Sequence, residues 1–272
     1  MARQKIVSRE YKIMLRAGLF RGNKKEIHLP AGAFWQAFRD AAQSIDLDTS
    51  GHFEVRRRRL IRFYDTSDLG LRRHDYVFRE RIDENADRRE VTLKFRHPDR
   101  YLSTSRDVSP ASDRHAKTKL EEDIKSPFRS LYSHSTTKRI GGKKHLNRLD
   151  DPFRLFPGLP KQLGTTDDER RIGVVGKLTA REIVLAGAHV AIRKTPRVKA
   201  ECALIVWYDS HGDRNCPEVV EFSFRYGDQD EAYGPKAARR AYDIFCRLQG
   251  PGLAAWVDAD GMTKTAYAYS RA

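Results

Sequence analysis

Polar and apolar side chains alternate along three short segments between residues 56 and 97, and a period of two is the spacing of β-strands. The last segment has a charged face of Glu90, Thr92, Lys94 and Arg96 and an apolar face of Val91, Leu93 and Phe95. Turn-forming residues separate the segments. The pattern therefore predicts three neighbouring strands, each with distinct faces.

The middle segment places Arg79 and Arg81 on the same face, with Phe78 pointing the other way. Two neighbouring guanidinium groups repel each other, and a solvent-exposed face usually mixes charges of both signs. One interpretation is an exposed basic sheet. The other is a sheet curled so that its polar face lines an interior holding a polyanion such as a chain of phosphates, since arginine forks match phosphate oxygens.

Alternation also predicts a first strand over residues 6–16. One face is apolar, and the opposite face carries Ser8, Glu10, Lys12 and Met14. Apolar residues at helical spacing predict an amphipathic helix over residues 31–47 and a second one that begins at Pro235 and ends at Gly250. Each helix is expected to cover the apolar face of a sheet.

Further strands are predicted in the second half of the chain. Residues 117–125, KTKLEEDIK, place Lys119, Glu121 and Asp123 on one strand face, although the same residues also favour a helix. Three antiparallel strands are predicted within residues 172–226, the last two as a hairpin, with Arg181 and Arg193 as candidate phosphate contacts. The C-terminal segment DGMTKTAYAY predicts a closing strand.

Residues 126–170 mix Pro, Gly, Lys, His and Leu with little periodicity. We interpret them as an insertion with a few short helices, one near residues 127–133. The length of 272 residues suits one large domain or two small ones, and we expect a single domain over residues 1–272.

The charge balance favours anionic partners. The chain has 52 Lys and Arg against 37 Asp and Glu, a formal net charge of +15. Most basic residues alternate along strands, and Arg56–Arg59 is the only dense tract, so nucleic acid is not the partner we expect. The sequence has no apolar run long enough to span a bilayer and no signal-peptide core, which predicts no membrane partner and a cytoplasmic location. Three widely spaced cysteines indicate free thiols.

Several of these segments together resemble the CYTH superfamily, the triphosphate tunnel metalloenzymes. The resemblance rests on four motifs in order, Phe63-Tyr64-Asp65-Thr66, Leu71-Arg72-Arg73, the Arg79 and Arg81 pair, and Thr92-Leu93-Lys94. The first strand resembles the family's E-x-E-x-K strand, with Glu10 and Lys12 matching and Ser8 in place of the first glutamate. Met262-Thr263-Lys264 resembles the family's closing strand.

The resemblance implies an α+β fold, namely an antiparallel eight-stranded β-barrel that forms a tunnel and has flanking helices. It also implies a divalent metal cofactor, Mg²⁺ or Mn²⁺, held by the carboxylates of Glu10, Glu121, Asp123 and Glu221. The predicted phosphate-binding residues are Lys12, Arg79, Arg81, Lys94, Lys119, Arg181 and Lys264. Glu10 and Lys12 are the predicted catalytic residues. A hydroxyl at Ser8 is a poor replacement for a carboxylate on a hard cation.

So many charges cannot converge in a dry interior without a bound anion, because a buried unpaired charge destabilises a protein by several kcal/mol. The sequence therefore predicts metal-dependent hydrolysis of a phosphoanhydride bond in inorganic triphosphate or a triphosphorylated small molecule. The alternatives are a class IV adenylate cyclase and a polyphosphate- or nucleotide-binding module without turnover. A nucleic-acid-binding β-domain that uses the Arg56–Arg59 tract is a further alternative.

Overall fold

A computed structural model describes residues 4–22, 26–84, 89–142 and 144–272. Its strands are β1 (Ile6–Leu15), β2 (Asp48–Ser50), β3 (Glu54–Asp65), β4 (Tyr76–Asp83), β5 (Arg89–His97), β6 (Ala116–Lys125), β7 (Arg129–Ile140), β8 (Gly173–Val174), β9 (Ala180–Arg193), β10 (Val198–Asp209) and β11 (Val219–Gly227). Its α-helices are α1 (His28–Gln43), α2 (Gly70–Arg73), α3 (Arg100–Ser105), α4 (Asp150–Leu155), α5 (Leu159–Leu163), α6 (Pro235–Leu248) and α7 (Lys264–Ser270).

Within the described residues, nine strands close into a ring in the order β9-β10-β11-β1-β6-β7-β5-β4-β3. The ring closes because β3 pairs with β9 as well as with β4. Neighbouring ring strands are antiparallel except β1 and β6, which are parallel. The predicted α+β class with a largely antiparallel sheet and flanking helices is confirmed, but the ring has nine strands where eight were predicted.

The two amphipathic helices predicted from the sequence, α1 and α6, cover the outer face of β1, β9, β10 and β11. The aromatic side chains of α1 fill this layer, since the rings of Phe34 and Phe38 each lie 5.0 Å from the ring of Phe222 on β11. Burial of these large rings stabilises the outer layer and leaves the opposite face of the same strands to point into the ring. None of the helices in the described ranges is long and apolar enough to cross a membrane.

The stretch interpreted as an insertion contains a strand of the ring. Residues 129–140 form β7, which pairs with β5 on one side and β6 on the other, so the helix predicted near residues 127–133 is wrong. Both faces of β7 carry Ser and Thr, so no hydrophobic alternation marks it as a strand, and pairing with two neighbours decides its structure. The short helices predicted after it are present as α4 and α5.

The C-terminal segment is also different from the prediction. Instead of a closing strand, residues 264–270 form α7, whose first turn is capped by the side chain of Thr263. Tyr267 and Ala268 pack against Phe63 and Trp207, inward-facing residues of β3 and β10. The apolar side chains of this segment therefore find a core as a helix packed at the inner face of the ring.

Asp65 in the Phe-Tyr-Asp-Thr motif has a structural role. Its buried carboxylate accepts hydrogen bonds from the backbone N–H groups of Thr66, Leu71 and Arg72, at 2.8 to 3.0 Å. The hydroxyl of Tyr269 on α7 donates to the same carboxylate at 3.1 Å. Asp65 thus ties the start of α2 and the C-terminal helix to the end of β3.

Candidate functional site

The inner face of the ring encloses a cavity of about 250 Å³. Every second residue of a strand points to the same side, so the polar faces recognised in the sequence converge here. β4 contributes Arg79 and Arg81, and β5 contributes Lys94 on the same face as Thr92. The predicted convergence of these strand faces is observed.

Cations dominate this cavity. Among the described residues, nine Lys and Arg side chains line it, and they are Lys12, Arg79, Arg81, Lys94, Arg96, Lys119, Lys125, Arg225 and Lys264. Three carboxylates line it as well, those of Glu10, Glu121 and Glu221. A small cavity with this excess of positive charge attracts anions and concentrates their field.

Lys12 lies between two carboxylates. Its Nζ is 2.8 Å from Asp123 Oδ1 and 3.0 Å from Glu10 Oε2, because parallel pairing sets Glu10 beside Asp123. Asp123 also accepts a hydrogen bond from Ser133 Oγ at 2.7 Å and lies 3.1 Å from the Arg96 guanidinium. Burial alone would raise the pKa of Glu10, but the charge of Lys12 lowers it to about 2. The charges of Lys12, Lys94 and Arg96 likewise outweigh burial and hold the pKa of Asp123 well below its ordinary value, so both carboxylates are ionised at neutral pH.

The other two predicted metal-binding carboxylates also contact lysines. Lys119 Nζ lies 2.7 Å from Glu121 Oε1, and Ser8 Oγ donates a hydrogen bond to the same oxygen at 2.8 Å. Lys264 Nζ donates to Glu221 Oε1 at 2.7 Å. The N-terminus of α7 thus delivers the predicted lysine to the cavity although its segment is a helix.

Arg79 and Arg81 differ from these lysines at one atom each. Their Nε atoms are buried, and neither has a hydrogen-bond partner among the described residues. Burial lowers the pKa of Arg81 to about 10, and burial together with the charge of Arg81 lowers the pKa of Arg79 well below its ordinary value. Buried donors without acceptors are costly, so these two side chains mark a place in the cavity where a bound anion would be stabilised.

Lys94 provides a pH-dependent test of how the cavity affects the charge of a buried lysine. Burial lowers its pKa from the ordinary 10.5 to about 7, despite Asp123 Oδ2 at 3.8 Å. Between pH 7 and 10 this lysine is therefore protonated in the unfolded chain but mostly not in the folded protein. The free energy of unfolding rises with pH in this window and falls as the pH drops toward 7. Lys125, whose pKa burial lowers to about 8, contributes with the same sign.

We expect the free energy of unfolding of the ligand-free protein to rise from pH 7 to pH 9, by on the order of 1 kcal/mol per pH unit for a single fully titrating group. In Lys94→Met this rise should be smaller, because one of the two lysines with a lowered pKa is then absent. Urea unfolding at several pH values measures the slope. Equal slopes in the two proteins would show that Lys94 is charged at neutral pH.

The arrangement does not fit a divalent metal bound by the predicted carboxylates. Within the ranges the structure describes, no group of three or more His, Cys, Asp or Glu side chains is placed to hold a metal ion. Magnesium is bound by one or two protein carboxylates together with waters and phosphate oxygens, so at least one of these carboxylates would have to be open to the metal ion. Here a lysine contacts each of the four predicted carboxylates, and the hydroxyl group of Ser8 donates a hydrogen bond to Glu121.

Two predicted arginines do not reach the cavity. Arg181 on β9 pairs across the sheet with Tyr208, whose side chain belongs to the outer core, whereas the next residue, Glu182, points inwards. Arg193 lines a groove on the outer surface beside the start of α6. The predicted face of β9 is therefore shifted by one residue.

Glu182 also divides the dense basic tract. It accepts a hydrogen bond from Arg59 Nε at 2.7 Å inside the ring, whereas Arg56 pairs with Glu54 on the surface at 2.7 Å. The tract is thus not one continuous exposed basic stripe, which argues against the nucleic-acid-binding alternative.

Sequence reasoning missed Arg96, Lys125 and Arg225, which all line the cavity. A signal existed for each of them. Arg96 shares the strand face of Lys94, and Lys125 and Arg225 lie two and four positions from the predicted residues Asp123 and Glu221. Extending each alternating face to the end of its strand finds all three.

No family model and no curated protein matches this sequence, but its structure is similar to several solved structures. The chain is similar to an adenylyl cyclase candidate from Hippeastrum with a dominant triphosphatase activity, at 14% identity, covering 97% of this chain and 96% of that one, with a TM-score of 0.49. It is also similar to an adenylate cyclase candidate from Bacillus halodurans, at 12% identity, covering 92% and 95%, with a TM-score of 0.39.

A third similar structure is an adenylate cyclase candidate from Vibrio parahaemolyticus, at 11% identity, covering 99% of this chain and 100% of that one, with a TM-score of 0.37. What the site of this chain can do depends on its own residues.

Proposed function

We propose that the ring interior binds a linear triphosphate, either inorganic triphosphate or the triphosphate group of a small molecule, and that the protein hydrolyses a phosphoanhydride bond there. The excess of cations in the cavity carries this proposal. In particular, the partnerless Nε atoms of Arg79 and Arg81 support a ligand rich in acceptor oxygens. Phosphate oxygens suit guanidinium forks in both charge and geometry.

The residues of the chain provide a route to hydrolysis. Negative charge is spread over the oxygens of a transferring phosphoryl group, so guanidinium groups that are already in place stabilise the transition state without reorganisation. Arg79 and Arg81 would supply this stabilisation, with Lys12 and Lys94 holding the neighbouring phosphates. Glu10, which is ionised and faces the cavity, would accept a hydrogen bond from the attacking water and orient it.

The test is phosphate release from inorganic triphosphate and from ATP, each measured with Mg²⁺, with Mn²⁺ and with chelator. We expect phosphate from at least one substrate, and Glu10→Gln should reduce the rate by about 100-fold or more, because a poorly oriented water loses that much. Release of pyrophosphate from ATP would instead indicate a cyclase.

A binding module without turnover is the second candidate, and one observation favours it. Each predicted catalytic or metal-binding carboxylate contacts a lysine, which restricts it from activating a water or a metal ion. This candidate predicts no release of phosphate or pyrophosphate, together with a raised melting temperature when triphosphate is added.

A further inference from the structure

We infer that the ring interior binds triphosphate in its metal-free form, so that binding requires no divalent cation. This inference rests on the proposed function, because it specifies which form of the ligand the same site takes. It differs from the expectation drawn from the sequence, in which carboxylates hold a metal ion that in turn holds the phosphates.

The first argument is the occupancy of the carboxylates. The interior acids are neutralised from within the protein, Glu10 and Asp123 by Lys12, Glu121 by Lys119 and Glu221 by Lys264. Each ammonium group contacts one oxygen of a carboxylate, so a divalent cation that takes that oxygen displaces the lysine, and one that takes the other oxygen lies beside it. Each displaced lysine would then lie close to the cation in a confined space, where like charges repel strongly.

The second argument is Ser8. It lies on β1 directly opposite Glu121 of β6, and its hydroxyl donates to that carboxylate at 2.8 Å. A neutral oxygen here adds no negative charge to attract a hard cation. Position 8 therefore supplies no carboxylate that could bind a metal ion together with Glu10, Glu121 and Asp123.

The third argument is that the cations suffice by themselves. An ammonium group has three N–H donors. Lys119 uses one of them on Glu121 and so keeps donors for a phosphate oxygen. Arg79 and Arg81 have buried Nε–H groups with no acceptor among the described residues. A metal ion bound to the triphosphate would neutralise part of its negative charge and so weaken its attraction to these lysine and arginine side chains.

Isothermal titration calorimetry of the full chain with inorganic triphosphate, in EDTA and in Mg²⁺, tests the inference. We expect a dissociation constant in EDTA that is equal to or lower than that in Mg²⁺. Binding in Mg²⁺ that weakens tenfold or more in EDTA would overturn the inference and leave the proposed function standing. Absence of binding in both buffers would overturn both.

A second measurement tests whether the lysine contacts keep a divalent cation off the carboxylates. Mn²⁺ titration followed by electron paramagnetic resonance should find no submillimolar site in the protein without triphosphate. Lys12→Met removes the ammonium group from Glu10 and from Asp123 Oδ1, while Arg96 stays at Asp123 Oδ2, so this variant should bind Mn²⁺ at least tenfold more tightly. Lys5→Met is the matched control, since Lys5 pairs with Asp230 on the exposed surface and its loss should not change Mn²⁺ binding.

A submillimolar Mn²⁺ site in the unsubstituted protein would contradict the inference whatever the variants do. A folded Lys12→Met protein, verified by circular dichroism, that gains no Mn²⁺ affinity would contradict the argument from lysine occupancy. The calorimetry in EDTA does not depend on the folding of any variant.

Discussion

Arg79→Ala is expected to weaken triphosphate binding by at least about 30-fold, since removing one member of a buried charge pair costs about 2 to 5 kcal/mol. The same substitution should leave the melting temperature of the ligand-free protein unchanged or raise it. The reason is that Arg79 is buried beside Arg81, and its Nε–H has no acceptor in the described structure. Its buried charge destabilises the ligand-free protein and becomes favourable when an anion binds.

Calorimetry with triphosphate and thermal unfolding without it measure the two effects. Arg181→Ala is the matched control, because it removes the same residue type from β9 on the face that points away from the cavity. It should leave binding unchanged. A fall of several degrees in the melting temperature of Arg79→Ala would mean that Arg79 holds structural ion pairs, contrary to the site described above.

Asp123→Asn should have the opposite effect on stability and lower the free energy of unfolding by about 3 to 5 kcal/mol. Asp123 is almost fully buried, and its carboxylate contacts Lys12 at 2.8 Å and Arg96 at 3.1 Å. Asparagine keeps the shape of the side chain and removes its charge. The two cations would then remain in a cavity that already has too many of them.

Urea unfolding with and without triphosphate measures this cost. Triphosphate should recover more stability in Asp123→Asn than in the unsubstituted protein, because the ligand replaces the missing negative charge and binds the folded state. Asp230→Asn is the control, since Asp230 is an exposed partner of Lys5 and its loss should not measurably change stability. Unchanged stability of Asp123→Asn would show that Lys12 and Arg96 are solvated in the folded protein.

The local pattern of the sequence determined which side chains share a strand face. Alternation correctly grouped Glu10 with Lys12, and Arg79 with Arg81, because the period of two is a property of the extended backbone itself. It also identified the apolar faces covered by α1 and α6, since helical spacing of large apolar residues is equally local. Most of the candidate cavity could therefore be predicted before any contact was known.

Only the tertiary structure decided the features that depend on pairing between distant segments. β7 is a strand because β5 and β6 flank it, and the last residues form α7 because Tyr267 and Ala268 pack against Phe63 and Trp207. Arg181 faces outwards because the register with β3 and β10 sets the phase of β9, and a shift of one residue exchanges its faces.

The same reason explains the paired carboxylates. Glu10 and Asp123 are more than a hundred positions apart, and parallel pairing of β1 with β6 brings them to the same lysine. The sequence determined that acids and bases would line one interior. Which acid meets which base depends on strand register and ring closure, and neither is encoded in the alternation of any single strand.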